Sequence, residues 1–350
     1  MKPSHPLRNG YTTGSAATAA AVAAFRRQSD PVTLQLPGGG KLTVPIFRIG
    51  PGQAVVIKDG GDDPDVTTGS EIHVSLHPYD GPPEPADYVE QEAGLELVIR
   101  GGDGVGRVTR PGLAVAIGKT AINPVPRRML RQNLAAAGCS GRYLVTITIP
   151  GGREVAARPM NPTLGIVDGI SILGHSGIVR PYSHAAYAAT IVLQLRSCAA
   201  AGEPVAALAT GNRSAMAIAR DFPQLPETSL IRIADFIHVA VTAARTANLP
   251  RLLLGCMPGK LFKYACGEKN THARYSRIAL SRLRDFGLTL PGIALENLSS
   301  MGELAAALSR ETYMAVLDRV YEQAQHVLQA WAGNTTVQII LYDEAGRRLK

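Results

Sequence analysis

Four aspartates lie close together in the segment Lys58-Asp59-Gly60-Gly61-Asp62-Asp63-Pro64-Asp65. Carboxylates at this density can bind a divalent cation, hold a cationic ligand, or raise the pKa of one member so that it acts as an acid or a base. A turn whose aspartates bond their own backbone is the structural alternative. The spacing differs from that of a calcium-binding loop, so we expect no metal site. The catalytic candidates are Asp59, Asp62 and Asp63, and the cofactor-binding candidates are Asp65 and Thr67.

A second polar segment, Gly10-Tyr11-Thr12-Thr13-Gly14-Ser15, runs directly into an alanine-rich helix predicted for residues 13–27. Free N–H groups at a helix N-terminus, together with hydroxyl groups, form a site for a carboxylate or a phosphate. Ordinary N-capping by threonine or serine is the alternative. The candidates for binding an anionic substrate are Thr12, Thr13 and Ser15.

Cationic side chains mark two further segments. Arg127 and Arg128 fall in the first turn of a helix predicted for residues 125–137, where cations oppose the helix dipole unless an anion lies nearby. Two solvated arginines are the alternative. The glycine-rich connection from Gly174 to Ser183 can approach a ligand closely. The substrate-binding candidates here are Asn123, Arg127, Arg128, Arg180 and Ser183, and His175 is a further catalytic candidate.

In the second half of the chain, polar residues follow predicted strands. Thr210-Gly211-Asn212 and the segment from Gly255 to Lys260 each end a strand and precede a helix, and ligands of open α/β sheets bind at such carboxyl ends. Plain connections between elements are the alternative. Asn270-Thr271-His272-Ala273-Arg274 opens another predicted helix, although a lone histidine is more often structural than catalytic. The cofactor-binding candidates are Gly211, Asn212, Gly255, Lys260, Asn270, Thr271 and His272.

The glycine run Gly101-Gly102-Asp103-Gly104-Val105-Gly106 does not predict a dinucleotide site. That fingerprint needs a helix after the glycines, whereas here a β-like segment ends at Pro111. We expect a hairpin or a ligand-facing loop instead.

The elements that position these residues fall into two groups. Short β-branched runs separated by Gly and Pro predict an N-terminal α+β domain with antiparallel or mixed sheets, residues 1–185. We also expect a strand near Val155 and loops in residues 161–180. Alternating strands and helices then predict a C-terminal Rossmann-like α/β domain, residues 186–350, with further helices at residues 272–285 and 301–332.

The composition favours a small anionic ligand over a polymer. Among 350 residues, 36 Lys and Arg stand against 28 Asp and Glu, and the net charge of +8 favours anionic partners. Aromatic residues make up only 5% of the chain, and basic residues occur at most in adjacent pairs. We therefore expect no nucleic-acid partner.

Cysteine usage and hydropathy favour a cytoplasmic protein without membrane contact. The cysteines, which form no C-x-x-C pair, are Cys139, Cys198, Cys256 and Cys266. The stretch from Ser15 to Phe25 superficially resembles a secretory signal, but it contains no leucine and is closed by two arginines after about three helical turns. We interpret it as an ordinary helix. The sequence leaves open whether copies of the chain form a homo-oligomer.

Seven segments occur in an order typical of one enzyme family: GYTTGS, KDGGDDPDVT, GVGRVTRPGL, INPVPR, NPTLGIVDGISILGHSGIVRP, GKLFKYA and NTHAR. Over roughly residues 7 to 285 the chain resembles the CbiD-type cobalt-precorrin-5B C1-methyltransferases of cobalamin biosynthesis. The resemblance implies transfer of a methyl group from S-adenosylmethionine to C1 of a polycarboxylated corrin, giving cobalt-precorrin-6A. The arginines and the residues from Thr12 to Ser15 would hold ring carboxylates. The aspartate turn and the loops after Thr210 and Leu254 would contact the cationic donor.

Two segments depart from the family pattern. Gly211-Asn212-Arg213-Ser214 replaces a Gly-Asn-Tyr-Gly type segment, and Gly255-Cys256-Met257-Pro258-Gly259-Lys260 lacks the usual histidine. An alternative therefore remains, in which a divergent member acts on another corrinoid or binds one without catalysis.

Overall fold

The computed structural model describes residues 6–157 and 164–350. The chain forms two compact units, Met1–Ser183 (unit 1) and His184–Lys350 (unit 2). The sequence placed this division near residue 185. Helices and sheets are mixed, which confirms the predicted fold class. Among the described residues, no helix combines the length and apolar character needed to cross a bilayer.

Unit 1 is built from short strands and a few helices. The strands are β1 (Gly10–Tyr11), β2 (Val32–Gln35), β3 (Lys41–Val44), β4 (Arg48–Gly50), β5 (Gln53–Ile57), β6 (Glu71–Pro78), β7 (Tyr88–Glu92), β8 (Leu95–Gly101), β9 (Gly104–Val105), β10 (Arg107–Val108), β11 (Gly141–Thr148), β12 (Ile166–Val167), β13 (Gly169–Ile170) and β14 (Ile178–Val179). The helices are α1 (Thr13–Arg26), α2 (Pro124–Ala136) and α3 (Gly152–Ala156).

A mixed six-stranded sheet in the order β4-β5-β6-β11-β8-β7 forms the centre of unit 1. Its neighbouring strands are antiparallel except β11 and β8, which run parallel. In β6, Ile72, Val74 and Leu76 are buried and the residues between them are more exposed. This is the two-residue period of a strand with one face on a core.

Helix α1 covers this sheet. Alanine has the highest intrinsic helix propensity, and Thr12 caps the N-terminus by accepting a hydrogen bond from the Ser15 N–H. The helix ends at Arg27, which is left-handed with φ 54°. Residues 13–24 are all buried, and the helix packs against β5, β6 and α2. The alanine-rich stretch is therefore a core helix.

Three expectations for unit 1 need correction. The chain near Val155 forms α3 rather than a strand, because the left-handed Gly151 turns it out of the extended direction. Of the two alternatives for the glycine run at 101–106, the hairpin is wrong, since β9 pairs with β13 and β10 with β12, and the ligand-facing loop stays a prediction. Residues 164–180 contain the short strands β12, β13 and β14 instead of loops alone, and the beginning of that predicted loop, residues 161–163, lies outside the described residues.

Unit 2 alternates strands and helices, as predicted. Its strands are β15 (Val205–Ala209), β16 (Leu230–Arg232), β17 (Arg251–Cys256) and β18 (Thr336–Leu341). Its helices are α4 (His184–Ala200), α5 (Asn212–Asp221), α6 (Ile237–Thr246), α7 (Pro258–Ala265), α8 (Met301–Ala307) and α9 (Arg310–Ala332).

The strands of unit 2 form one parallel sheet in the order β16-β15-β17-β18. Helix α5 packs on one face, and α4, α6, α7 and α9 pack on the other. Helices follow β15 and β17 on opposite faces, so the connectivity reverses between these two strands. In open α/β sheets, such a reversal opens a crevice for ligands at the carboxyl ends of the strands.

Two helix predictions for unit 2 were wrong. Residues 270–279 are irregular, and only a 3₁₀-helix at Leu280–Phe286 follows. The cause is that the side chains of Asn270 and Thr271 form local and tertiary hydrogen bonds. The helix predicted over residues 301–332 is interrupted between α8 and α9, where Ser309 caps α9 by accepting from the Thr312 N–H.

Candidate functional site

Strand β1 joins several of the polar segments of unit 1. On one side it pairs antiparallel with β14, with Gly10 opposite Val179 and Tyr11 opposite Ile178. On the other side, the Tyr11 N–H donates to the Asp59 carbonyl at 2.8 Å. The aspartate turn and the glycine-rich connection are thus held on opposite edges of a two-residue strand.

The start of α2 joins the same assembly. The Asn123 N–H donates to the Ile172 carbonyl at 2.9 Å, and the Gly14 N–H donates to the Leu173 carbonyl at 3.0 Å. Gly14 lies so close to α2 that a Cβ there would come within 2.7 Å of Pro126. We call these four segments, residues 7–15, 59–67, 122–128 and 171–182, the β1 junction.

The hydroxyl groups of Thr12, Thr13 and Ser15 are buried within the β1 junction and bind protein atoms. Thr13 Oγ1 donates to the Ser171 carbonyl at 3.0 Å and accepts from the Leu173 N–H at 2.9 Å. Ser15 Oγ donates to the Gly177 carbonyl at 2.7 Å. These contacts are those of capping and packing, which the sequence had left as the alternative to anion binding.

Replacing Thr13 by valine is expected to lower the free energy of unfolding by about 2 kcal/mol. The isosteric side chain leaves the Leu173 N–H without its acceptor in a buried place. Chemical denaturation measures the change, with Thr43→Val on the exposed side of β3 as the control. An unchanged free energy would mean that the Thr13 hydroxyl is free for a ligand.

The carboxylates of the aspartate turn are all engaged by protein donors. Asp59 accepts from the Arg8 guanidinium, and that hydrogen bond lowers the pKa of Asp59. Burial opposes ionisation of Asp65, but Lys58 and Thr67 together outweigh it and lower the pKa of Asp65. The Arg8 N–H donates to Asp62 at 2.6 Å, and the Tyr182 N–H donates to Asp63 at 2.9 Å. These contacts match the turn alternative, and the described residues contain no cluster of three or more metal-ligating side chains.

The arginines of the β1 junction differ in their partners. Arg127 forms an ion pair with Glu90 at 2.8 Å and lies 4.1 Å above the Tyr88 ring centre. The charge of Arg127 is therefore already neutralised. The sequence did not indicate this ion pair. Arg128 and Arg180 are exposed and form no ion pair within the part of the chain that the structure describes. These two, rather than Arg127, are available to an anion.

Large apolar side chains are exposed in the same segments. Tyr182 is 67% exposed, and Leu173 and Val66 are about half exposed. His175 is also exposed, while Asn123 and Ser183 are partly buried. Exposed apolar side chains on segments that meet at one strand favour a binding surface there. Together with Arg128 and Arg180 they suit a ligand that is apolar in its body and anionic at its edge.

In unit 2, three polar side chains form a network at the carboxyl end of the sheet. Lys260 Nζ donates to Asp235 Oδ1 and, at 2.7 Å, to Thr271 Oγ1. Thr271 Oγ1 in turn donates to Asp235 Oδ1 at 2.9 Å. Lys263 Nζ fixes the same segment by donating to the Thr271 carbonyl at 2.7 Å. Burial works against it, yet Lys260 and Thr271 lower the pKa of Asp235, so its carboxylate is ionised at neutral pH.

Five rings lie next to this network, and we call them the ring cluster: His184, Tyr187, Phe236, His272 and Tyr275. Tyr187 stacks on Phe236 with centroids 5.5 Å apart. His272 lies 5.9 Å from Tyr275 and 6.2 Å from His184. Tyr275 is 59% exposed. The ring cluster therefore presents aromatic surface to solvent beside an ionised carboxylate.

The remaining residues of unit 2 that were predicted to bind the cofactor are Gly211 and Asn212, at the start of α5, and Gly255, inside β17. Gly211 precedes α5, where its N–H is taken by Ser214 Oγ at 3.0 Å, and Asn212 is exposed in the first turn. Gly255 lies inside β17, where a Cβ would meet Ile218 at 2.6 Å, so its lack of a side chain serves packing. The next residue, Cys256, is fully buried, which raises the pKa of its thiol to about 12 and makes it unreactive.

The sequence analysis missed Asp235 although its signal was present. The loops after β15 and β17 were singled out because they follow parallel strands, and Asp235 follows β16 in the same way. His272 was among the predicted cofactor-binding residues, but the other four rings were missed because they come from the first turn of α4, the residue before α6 and an irregular segment.

A cavity of about 770 Å³ also opens in unit 2. It is lined by apolar side chains such as Met301 and Met314 and by arginines such as Arg310. Its lining includes Pro258 and Gly259 from the segment predicted to contact the donor, but not the individually named candidates Gly255 and Lys260.

Comparison with known proteins agrees with the resemblance. Residues 1–181 match the family model CbiD. A cobalt-precorrin-5B C(1)-methyltransferase of Nitratidesulfovibrio vulgaris is 44% identical over 298 residues, which cover 79% of this chain and 73% of that protein. One from Geobacillus kaustophilus is 35% identical over 376 residues, covering 100% and 95%.

Among solved structures, the crystal structure of the cobalamin biosynthesis protein CbiD from Archaeoglobus fulgidus is 26% identical, covers 77% of this chain and 83% of its own, and superposes with a TM-score of 0.41. Membership rests on the sequence relatives, which span both units. The chain belongs to the CbiD family, a family of methyltransferases in cobalamin biosynthesis.

Proposed function

We propose that this protein transfers the methyl group of S-adenosylmethionine to C1 of cobalt-precorrin-5B, giving cobalt-precorrin-6A. The observation that carries this proposal is the likeness to the Geobacillus kaustophilus relative, a cobalt-precorrin-5B C(1)-methyltransferase, which spans 100% of the chain and 95% of the relative. The aligned region therefore covers both the β1 junction and the network around Lys260.

The reaction is an in-line displacement at the methyl carbon. A carbon–carbon bond forms as the carbon–sulfur bond breaks, and the electron pair of the broken bond stays on sulfur, which leaves as a neutral thioether. Such a step needs alignment of the reacting atoms and exclusion of water more than it needs a strong base. This requirement accords with Asp59 and Asp65, whose pKa values are lowered rather than raised.

We assign the acceptor to the β1 junction. A corrin precursor is an apolar macrocycle with carboxylate arms, and the junction offers exposed Leu173 and Tyr182 together with the exposed cations Arg128 and Arg180. The net charge of +8 attracts such an anion from a distance. Thr12, Thr13, Ser15 and Asn123 then shape the surface from below instead of binding carboxylates through their side chains.

Reversing the charge of Arg180 is expected to weaken acceptor binding by about tenfold, the value of one charge-assisted hydrogen bond. Donor binding should stay within about twofold, because that site is assigned to unit 2. Titration of the absorbance of a corrinoid polycarboxylate measures the affinity. Arg48→Glu, on the edge strand β4, is the control for net charge. Equal losses in both variants would show that only the overall field matters.

We assign the donor to the carboxyl end of the unit 2 sheet. Lys260, Thr271 and His272 belong to the network or the ring cluster, and Asn212 is exposed at the start of α5. Asp65 and Thr67 were also donor candidates, but Asp65 accepts hydrogen bonds from the Thr67 N–H and from Lys58 Nζ. Their role in our proposal is to hold the turn.

The decisive experiment supplies the protein with cobalt-precorrin-5B and S-adenosylmethionine carrying a ¹³C-labelled methyl group. We expect the label at C1 of the product by NMR, with S-adenosylhomocysteine as the second product. Corrinoid binding without any label would instead support a non-catalytic corrinoid-binding protein, the alternative that the departures at Arg213 and Cys256 leave open. Label at another ring carbon would indicate a changed acceptor.

We further propose that the reaction takes place in the cytoplasm and that its partners are these two small molecules. Support comes from the free thiols of Cys139, Cys198, Cys256 and Cys266. Thiols persist in a reducing compartment.

A further inference from the structure

We infer that Asp235 anchors the ribose of the adenosyl donor and that the adjacent ring cluster stacks its adenine. This inference rests on the proposed function, because it names the contacts of the methyl donor. It starts from the position of Asp235 in the sheet. Strands β15 and β16 are neighbours, and the Ile233 N–H donates to the Ala209 carbonyl at 2.9 Å, so the chain leaving β16 lies beside the loop that leaves β15.

The order of elements is that of a mononucleotide-binding half. The loop at Gly211 connects the first strand to a helix, and Asp235 lies in the turn that follows the second strand. In dinucleotide-binding sheets an acidic residue roughly 20 residues after the glycine loop accepts hydrogen bonds from ribose hydroxyls. Here the strand order β16-β15-β17-β18 places the second strand next to the first and the third on its other side. Sheets with this order bind nucleotides by the same rule.

The carboxylate is prepared for this task. Lys260 and Thr271 both bind Oδ1, while Oδ2 accepts no hydrogen bond from any residue that the structure describes. The side chain of Asp235 is 23% exposed, so the carboxylate is partly open to solvent. Ala234, which precedes it, has φ 46°, an uncommon conformation for a residue with a side chain. The backbone therefore turns at Ala234 and leaves the strand direction just before Asp235.

Aromatic rings lie beside the carboxylate on both segments of the polypeptide that form the network. Phe236 follows Asp235, and His272 follows Thr271. Tyr187 and Tyr275 extend this surface into solvent, at 40% and 59% exposure. Adenine is a flat ring that stacks on such side chains without needing a specific hydrogen-bond pattern. An adenosine thus meets a carboxylate at its ribose and rings at its base.

Calorimetric titration of the full chain with S-adenosylhomocysteine and with its 2′-deoxy and 3′-deoxy analogues tests the inference. We expect the unmodified protein to bind at least one deoxy analogue about 10- to 100-fold more weakly than the parent compound. Asp235→Asn should weaken binding of the parent by a similar factor and abolish the discrimination. Asp318→Asn, which removes an exposed carboxylate paired with Lys350 in the same unit, is the control and should change nothing.

Tyr275→Leu is expected to weaken binding of all three compounds about tenfold, because base stacking does not depend on the hydroxyls. Equal affinity of the unmodified protein for the parent and both deoxy analogues would overturn the ribose assignment, even if Asp235→Asn failed to fold. Loss of binding in Met314→Arg, which fills the 770 Å³ cavity, with Asp235→Asn unaffected, would place the donor in that cavity and also overturn it. No binding of S-adenosylhomocysteine at all would instead count against the proposed function.

Discussion

Replacing Asp65 by alanine is expected to lower the free energy of unfolding by about 3–5 kcal/mol. The cause is Lys58, whose side chain is only 1% exposed and whose Nζ lies 2.8 Å from Asp65 Oδ2. Without the carboxylate, the ammonium group is left buried without its ion-pair partner. Urea denaturation measures the change. Far-UV circular dichroism is the suitable signal, because Trp331, the chain's single tryptophan, lies in unit 2.

The control for Asp65→Ala is a second substitution at its partner. Lys58→Met added to Asp65→Ala should recover much of the lost stability, because an apolar side chain of similar length needs no counter-ion. Asp80→Ala, at an exposed position of the same unit, should change the free energy of unfolding by less than about 0.5 kcal/mol. If Asp65→Ala also stayed within that range, Lys58 would have to be neutralised by something other than Asp65.

Replacing Gly104 by alanine is expected to cost about 4 kcal/mol or more and to reduce the yield of folded protein. A Cβ at this position would lie 1.9 Å from the Ile149 carbonyl oxygen, which is backbone and cannot rotate away. The neighbouring Gly152 and Gly169 are equally restricted, since a Cβ on either would come within 2.3 Å of the Gly104 carbonyl oxygen. Thermal unfolding and the soluble yield measure the effect.

Gly94→Ala is the matched control for Gly104→Ala. Both glycines have φ 75°, but a Cβ at Gly94 would have no heavy atom within 4 Å. The control therefore measures the cost of the backbone conformation alone, about 1 kcal/mol. The difference between the two variants isolates the collision. Equal effects would show that the backbone at Gly104 can move apart, and that these glycines are not there for close packing.

The hydrophobic periodicity of the sequence and the positions of its Gly and Pro residues were sufficient to predict most helices and strands. The alternation in β6 and the alanine content of α1 are local properties, and neither depends on what the segment packs against. The parallel sheet of unit 2 followed for the same reason. The irregular stretch at residues 270–279 did not, because the hydrogen bonds of Thr271 to Asp235 and Lys260 cross from other elements and override the local helix signal.

The candidate site was predictable in its segments but not in the roles of its side chains. The sequence singled out the segments around Thr12, Asp59 and His175 as candidates, and the structure joins these segments at β1. It did not show that Arg127 on α2 faces Glu90, because that partner is 37 residues away and lies on strand β7. A charge visible in the sequence becomes available or neutralised only through tertiary contacts, so Arg128 and Arg127 looked equivalent.

Strand β1 also has a consequence for synthesis on the ribosome. Its two residues are held by partners near positions 59–61 and 177–179, and only the first of these is made early. Closing the long loop between β1 and residues 177–179 is slow compared with forming a local helix. Strand β1 therefore stays without its second neighbour until almost all of unit 1 has emerged. The surface assigned to the corrin can exist only after that last segment has docked.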